Sequence, residues 1–168
     1  MTTPKTVRGP GREIWALVRS VNHLMNRLRT RELAGYGLTV PQAGVLRHVQ
    51  ELGARATPTT LARAMFRQPT SVSAILTRME KQGLVKRVQG QERKNQVCIE
   101  LTPKGKQLRR LALMNETVSR VMARLSPAAQ ARLEADLVNF RKCVIDQMAE
   151  GYRGYYTNRL KREDPPDE

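Results

Sequence analysis

The segment from residue 65 to residue 84 limits what this chain can fold into more than any other stretch. Its apolar side chains recur at steps of three and four residues, which predicts a helix with one buried face; they are Val72, Ile75, Leu76 and Met79. Pro69 suits the first turn of such a helix, and Gly83 suits the left-handed residue that ends it. The opposite face carries short hydroxyl groups and one long cation, namely Thr70, Ser71, Ser73, Thr77 and Arg78. Because such a face can approach a base edge or a phosphate closely, the segment is interpreted as a recognition helix.

Two shorter helices are predicted immediately before the recognition helix. Thr39, with Gln42 three residues later, forms a capping-box pattern, and the helix that follows ends near Gly53. Residues 55–57 can form a short strand, after which Thr57 caps a third helix. A short helix, a tight turn and a longer helix together predict a helix-turn-helix.

The hydrophobic period changes after Gly83. Residues 84–89 and 96–101 are predicted to form two strands around the polar loop 90–95, and a basic hairpin in this place is a wing. The core face of the second strand is expected to carry Val97, Ile99 and Leu101. Cys98 is expected on the other face, which would make it the better redox candidate of the two cysteines.

Further helices are predicted on both sides of this unit. Residues 12–35 form an N-terminal helix with an apolar stripe, after a flexible arm at 1–11. Residues 102–158 contain two heptad-like seams, the first through Leu108, Leu111, Asn115, Val118, Met122 and Leu125 and the second through Leu133, Leu137, Phe140, Val144 and Met148. Such narrow seams pack against other helices, so both segments are predicted to form a homodimer. Residues 38–101 are then the DNA-binding region, and 159–168 a disordered, acidic-ended tail.

The charge is strongly positive and unevenly spread. The chain has 30 Lys and Arg against 15 Asp and Glu, a net charge of +15. Between Arg63 and Arg110 there are 12 basic and 3 acidic residues, and this concentration indicates a polyanionic partner more than a merely solvated surface. Aromatic residues make up only 4% of the chain, which argues against a single-strand reader that stacks bases on aromatic rings.

Other classes of function find little support in the sequence. No signal-peptide core and no run of 18 apolar residues is present, so no membrane span is predicted and a cytoplasmic location is expected. Cys98 and Cys143 have no metal-ligand spacing. His23 and His48 lie on separate predicted helices without a nearby pattern of Cys, Asp or Glu, so no enzyme, metal or cofactor is expected.

Several short motifs follow one another in a characteristic order: Leu38-Thr39 with Pro41-Gln42 and Val45-Leu46, Leu61-Ala62, the helix 69–80, Gly83-Leu84-Val85-Lys86-Arg87, Leu101-Thr102 with Lys104-Gly105, and Leu125-Ser126-Pro127-Ala128-Ala129-Gln130. Together they resemble the MarR family of bacterial transcriptional regulators over about residues 12–150. The resemblance implies a mainly α fold with a small β-wing, in which dimerisation helices at both ends flank a winged helix-turn-helix domain. It also implies a homodimer on pseudo-palindromic double-stranded DNA, a repressor role, and a small-molecule effector in a cleft between the dimer helices and the reader.

The expected contacts with DNA combine the recognition helix with this resemblance. They are Thr60, Pro69, Thr70, Ser71, Ser73, Thr77, Arg78, Arg87, Arg93, Lys94 and Asn95. On the recognition helix, Arg78 is the good bidentate reader of guanine. The family's wing tip usually carries an Asp-x-Arg motif, and here either Arg93 with Asn95 or Glu92 with Lys94 takes those positions, so both registers stay open.

A second class of function shares the same charge. A basic nucleoid- or RNA-associated protein without sequence specificity would also carry a large excess of Lys and Arg. Such a protein would not need a helix face of small hydroxyl groups. Titration against a specific duplex, a random duplex and RNA separates the two hypotheses, because specific binding exceeds non-specific binding by roughly 10³ or more.

Overall fold

The computed structural model describes residues 9–90 and 96–147, which form a mainly helical fold with one small hairpin. In chain order the elements are α1 (Pro10–Ala34), α2 (Val40–Leu52), a 3-10 turn (Gly53–Arg55), α3 (Pro58–Ala64), α4 (Pro69–Lys81), β1 (Val85–Gln89), β2 (Val97–Leu101), α5 (Pro103–Leu113), α6 (Glu116–Met122) and α7 (Pro127–Gln147). The predicted fold class, mainly α with a small β-wing, is confirmed. Among the described residues, no helix has both the length and the apolar character needed to cross a membrane.

Side-chain caps set where the helices of the winged unit begin. Thr39 and Thr57 each complete a capping box, in which the hydroxyl accepts the backbone N–H three residues on. Thr102 acts in the same way for α5 and accepts the N–H of Gly105 at 3.0 Å. A proline also stands in the first turn of α2, α3, α4 and α5, where the missing N–H costs no helical hydrogen bond. The helix starts predicted at Thr39 and Thr57 are confirmed.

The buried core lies where α2, α3 and α4 meet the base of the wing. Its large, fully buried side chains are Leu33, Leu46, Leu61, Leu76, Met79, Ile99, Val45 and Val72. Val72, Leu76 and Met79 form the predicted buried face of α4, and Ile75 is partly buried beside them. Because Leu33 belongs to α1, the C-terminal end of that helix is part of the same core.

The hairpin is antiparallel, and its faces differ from the prediction at two positions. Its register pairs Val85 with Leu101, Lys86 with Glu100, Arg87 with Ile99, Val88 with Cys98 and Gln89 with Val97. Val97, predicted to face the core, is 44% exposed, whereas Cys98, predicted on the other face, is only 6% exposed. The reason is that the 3-10 turn covers this side of β2, where the thiol of Cys98 donates to the carbonyl of Ala54 at 3.2 Å. Cys98 is therefore not an accessible redox candidate.

Residues 55–57 do not form a strand, so that prediction is wrong. The chain leaves α2 through the 3-10 turn, and one backbone hydrogen bond, from the N–H of Ile99 to the carbonyl of Ala56 at 2.7 Å, joins the segment to β2. Thr57 caps α3 immediately afterwards. The chain therefore enters α3 before a second backbone hydrogen bond with β2 can form.

The first C-terminal seam is not one continuous helix. Helix α5 ends at Leu113 and α6 begins at Glu116, and between them Asn115 takes the left-handed conformation with φ 47°. Asparagine tolerates this geometry better than most residues because its short polar side chain can bond locally. The predicted heptad-like steps therefore cross a break, and Asn115 marks the break. Helix α7 begins at Pro127, within the sequence motif that starts at Leu125.

Some predictions concern residues outside the described ranges. These are most of the arm at 1–11, Met148 of the second seam, and the segments 151–158 and 159–168. The division of the chain into five functional segments stays a prediction.

Helix α5 begins against the backbone at the point where α4 gives way to β1. The hydroxyl of Thr102 donates to the carbonyl of Gly83 at 2.6 Å, and the N–H of Thr102 donates to the carbonyl of Leu84 at 3.1 Å. The two backbones approach so closely that a Cβ on Gly105 would overlap the carbonyl oxygen of Leu84. Packing, rather than a positive φ angle, restricts this position to glycine.

Replacing Gly105 with alanine should therefore destabilise the fold. The added methyl group meets backbone, which cannot move aside as a side chain can. We expect the free energy of unfolding to fall by about 1–3 kcal/mol or more. Gly44→Ala is the matched control, since its Cβ would meet only the end of the Met65 side chain, at 3.3 Å. Alanine is the better helix former by up to about 1 kcal/mol, so this control should stay near the wild type. Urea denaturation measures both, and equal stabilities of the two variants would contradict the packing argument.

Candidate nucleic-acid interface

Helix α4 presents the predicted hydroxyl face to solvent. The exposed side chains are Pro69, Thr70, Ser71, Ser73, Thr77 and Arg78. The buried stripe on the other side fastens the helix to the core. An α-helix about 10–12 Å in diameter fits the major groove of B-DNA, which is about 12 Å wide. The geometry of α4 is therefore suited to contact base edges with short side chains.

The N-terminus of α4 offers backbone donors. Gln68 is the N-cap residue, and its side chain makes no capping hydrogen bond. Thr70 lies inside the first turn, and its side chain is exposed. The first N–H groups of a helix have no acceptor within it and carry a partial positive charge, so a phosphate can bind there.

A set of polar contacts holds the C-terminal end of α4 in place. The side-chain amide of Gln42 on α2 donates to Oε1 of Gln82 at 2.6 Å. The ammonium group of Lys104 on α5 donates to the backbone carbonyl of Gln82 at 3.0 Å. Sequence reasoning identified Gln42 only as a capping partner and missed this second contact, because Gln82 is 40 residues away in the chain.

Arg78 lies on the exposed side of α4. Its Nε donates to the carbonyl of Ala74 in the preceding turn across a long 3.4 Å. Such a long contact with its own helix is a weak hydrogen bond. The side chain is therefore lightly held and can turn toward a base or a phosphate.

Arg87 has a partner within the protein. Its Nε lies 3.3 Å from Oε2 of Glu80, so the pair joins β1 to α4, and each side chain is 41% exposed. The neighbouring Lys86 pairs with Glu100 across the hairpin at 2.9 Å. Exposed ion pairs of this kind contribute little stability, so Arg87 can exchange Glu80 for a phosphate at small cost.

Thr60 serves the cap of α3. Its hydroxyl oxygen accepts the backbone N–H of Thr57 at 2.8 Å, and its side chain is half-buried. A contact between this hydroxyl and DNA would compete with the cap, so Thr60 is the least favourable of the predicted contacts. Arg93, Lys94 and Asn95 lie outside the described residues, and their roles and the register of the wing tip stay predictions.

The histidines do not point to a metal site. Nδ1 of His48, a buried residue, lies 2.8 Å from Oε2 of Glu51, and a terminal nitrogen of Arg47 lies 3.0 Å from Nε2. Because a guanidinium can only donate, Nε2 of His48 accepts a hydrogen bond from Arg47. The proton of the neutral ring is then on Nδ1, which donates a hydrogen bond to Glu51. In the described part of the chain, no three His, Cys, Asp or Glu side chains are grouped so that they could hold a metal ion.

A cavity of about 510 Å³ lies beneath the wing. Val49 of α2 and Ile99 of β2 contribute apolar surface, and Gln89, Glu100 and Lys106 contribute polar groups. A mixed lining of this kind can accept a small molecule with both apolar and polar parts.

Comparison with known proteins is consistent with this geometry. A model described as the MarR family matches residues 36–94. The ligand-free organohalide-sensing transcriptional regulator RdhR is 28% identical over 94% of this chain and 92% of that chain, with a TM-score of 0.77. RdhR in its 2,4-dichlorophenol-bound form is 30% identical over 84% of this chain and 85% of that chain, with a TM-score of 0.71.

A third structure shares the fold. It is a MarR mutant from E. coli complexed with operator DNA, 22% identical over 76% of this chain and 93% of that chain, with a TM-score of 0.68. No curated protein matches the chain.

The position of Arg78 leads to a test of base reading. If Arg78 reads a base, Arg78→Ala should cost about 1–3 kcal/mol of binding free energy on the specific DNA site and little on random duplex. Arg93→Ala and Lys94→Ala should weaken binding to both DNAs and lower the salt slope, because they remove charge near phosphates. Titration of each variant on both DNAs at two salt concentrations measures these effects.

Arg132→Ala is the control for this series, since Arg132 is an exposed cation on α7, away from α4 in the chain. It should leave specific binding close to that of the wild type. An equal loss on specific and random DNA for Arg78→Ala would make Arg78 a phosphate contact, and specificity would then come from the hydroxyl face or from DNA shape.

Proposed function

The chain belongs to the MarR family of transcriptional regulators, and from that membership we propose that it is a homodimeric repressor of a pseudo-palindromic site in double-stranded DNA. The observation that carries the proposal is the exposed face of α4, with its short hydroxyl groups and Arg78 above a fully buried stripe. A face of Glu and Lys would serve solubility, whereas short hydroxyl groups allow close approach to base edges. As a DNA-binding regulator the protein would act in the cytoplasm.

The terminal helices support the homodimer. In a single protomer α1 exposes Ile14, Leu17, Val21 and Leu24, and α7 exposes Leu133, Leu137, Phe140 and Val144. These side chains are between 38% and 64% exposed and follow the steps of a helix seam. Contiguous apolar stripes of this kind usually mark a protein interface. A second copy of the chain is the proposed occupant, because a two-fold symmetric dimer places two recognition helices on two half-sites.

We further propose that a small molecule regulates DNA binding. RdhR, to which the chain is similar, has a 2,4-dichlorophenol-bound form. In this protein the cavity beneath the wing lies between α2, both strands and the start of α5. It is therefore a different place from the cleft between the dimer helices and the reader that the family resemblance implies, since no described residue of α1, α6 or α7 lines the cavity. A ligand there would contact elements that hold the recognition helix, and it could change DNA affinity only by binding one arrangement of them more tightly than another.

Salt dependence tests the electrostatic part of the proposal. Lys and Arg side chains displace counterions from DNA, so the affinity should fall with a slope of about −0.9 per phosphate neutralised on a logarithmic plot. A dimer with on the order of 6 to 10 phosphate contacts should lose about three to five orders of magnitude in affinity between 50 and 200 mM salt. Fluorescence anisotropy with labelled duplex measures the slope. A flat profile would contradict the proposal, and equal affinity for specific duplex, random duplex and RNA would favour the non-specific alternative.

The dimer is tested on α7. Replacing Leu137 and Phe140 with aspartate puts two carboxylates into the proposed interface, and we expect monomers by light scattering with loss of specific DNA binding. Ala135→Asp with Asn139→Asp is the matched control, because it adds the same charge to the opposite face of the same helix. Circular dichroism checks that each variant is folded. A double variant at 137 and 140 that stays dimeric would show that the interface lies elsewhere.

A further inference from the structure

The break between α5 and α6 joins the DNA-reading unit to α6 and α7. The proposed function requires these two parts to keep a fixed relative orientation. Helix α5 is fastened to the end of the recognition helix, through Lys104 on the carbonyl of Gln82 and Thr102 on the carbonyl of Gly83. Helices α6 and α7 follow the break, and α7 carries one of the two apolar stripes of the proposed dimer interface. The angle at the break therefore sets how the DNA-reading unit is held relative to α6 and α7.

One ion pair from α1 reaches this break. A terminal nitrogen of Arg29 lies 2.7 Å from Oε2 of Glu32, and the other terminal nitrogen donates to the carbonyl of Ala112 at 2.9 Å. Ala112 is in the last turn of α5, where the carbonyl groups have no N–H donor within the helix. The two side chains are only 15% and 10% exposed. A single guanidinium thus bonds a carboxylate on its own helix and the end of a neighbouring helix.

Glu32 faces the other side of the break. Burial alone would raise the pKa of its carboxyl, but the hydrogen bond from Arg29, the nearby Thr117, the guanidinium charge and the backbone of Glu116 together hold the pKa below its usual value. Glu116 and Thr117 form the first turn of α6, whose N–H groups lack helical acceptors. Asn115, the N-cap residue, supplies no side-chain cap. Helix α1 packs against α6. Of the two carboxylate oxygens of Glu32, Oε2 bonds Arg29, whereas Oε1 is buried and has no hydrogen-bond partner among the described residues.

The two charges match the two helix ends. A cation is favourable beside the terminal carbonyls of one helix, and an anion is favourable beside the first N–H groups of the next. Arg29 bonds the end of α5. The buried Oε1 of Glu32 has no hydrogen-bond partner in the described part of the chain, and Thr117 and the backbone of Glu116 in the first turn of α6 lower the pKa of this carboxyl. The left-handed backbone of Asn115 lies between them.

We propose that Arg29 and Glu32 are positioning residues. Their ion pair fixes the angle between α5 and α6 at the break, and so fixes the DNA-reading unit relative to α6 and α7. In the dimer this contact sets the separation of the two recognition helices. The part that concerns DNA rests on the proposed function, whereas the part that concerns the angle within one protomer does not.

The first experiment measures the angle without DNA. Spin labels on Thr77→Cys of α4 and on the native Cys143 of α7, in a Cys98→Ser background and diluted with unlabelled protein, report the distance between the two units within one protomer. The charge-swapped variant Arg29→Glu with Glu32→Arg keeps the net charge and an ion pair but places each charge at the wrong helix end. We expect a broadened or shifted distance distribution for the swap. An unchanged distribution would overturn the proposal.

Two single variants sharpen this test. Arg29→Lys keeps the charge but has one nitrogen in place of two, so it cannot bond Glu32 and Ala112 with separate atoms, and we expect part of the same broadening. Arg31→Ala removes an exposed cation two residues away and should leave the distribution unchanged. If the distance distribution broadens equally in Arg31→Ala and in the swap, the effect comes from any change of charge on α1. That result would contradict a specific role of the Arg29–Glu32 pair.

The second experiment measures half-site spacing on the unlabelled dimer. Duplexes are prepared in which the two halves of the specific site are moved apart or together by single base pairs. The wild type should show one preferred spacing, and the swap should lose about tenfold in affinity at that spacing, with a flatter profile. Affinity for a duplex with one half-site should be the same in both proteins.

An equal loss on the single half-site would mean that the swap damages the reader itself, and this result would overturn the proposal. The wild type could show no preferred spacing while the spin-label distances still change in the swap. That result would contradict the proposed dimeric DNA binding but support the positioning role of Arg29 and Glu32 within one protomer.

Discussion

The contact between the start of α5 and the end of α4 is the one on which the DNA-facing part of the structure depends. Gly105 lies against the carbonyl of Leu84 with no room for a Cβ, and Thr102 and Lys104 donate to the backbone at Gly83 and Gln82. Because β1 begins at the next residue, Val85, the same contact sets the base of the wing. The recognition helix, the wing and α5 are therefore held as one body. This body continues along the chain into α6 and α7 through the break after α5, and it also contacts α1, whose Leu33 lies in the shared core.

Part of the positive charge of the chain is already engaged in contacts within the protein. Of the 12 cations between Arg63 and Arg110, Lys86 and Arg87 pair with carboxylates, and Lys104 donates to a backbone carbonyl. Arg29 is likewise occupied at the end of α5. Net charge therefore indicates the class of partner but does not map the interface, since a cation that already has a partner contributes less to binding a phosphate. Arg78, with only a weak bond to its own helix, is the better candidate for a contact that DNA strengthens.

The candidate site follows from the sequence where its geometry is local. The two faces of α4 are set by a period of 3.6 residues, and the caps at Thr39 and Thr57 by residues three positions apart. Thr60 shows where local reading is incomplete, because the hydroxyl predicted to meet DNA is half of a capping box. The contact between Gln42 and Gln82 could not be predicted, since either amide has many possible partners and only the packing of α2 against α4 selects this one.

The sequence by itself determined most of the helices, the two strands of the hairpin, the caps at which α2 and α3 begin, and which face of α4 is open to solvent. Only the tertiary structure decided that Cys98 is buried, because the strand pattern gives two faces and does not say that a 3-10 turn covers the second one. It also decided that the chain breaks at Asn115, where a periodic seam predicted a continuous helix. Short-range periodicity reports which side chains share a face of one element. What covers that face, and where an element must end to bring Arg29 and Glu32 onto its neighbours, depends on contacts between residues far apart in the chain.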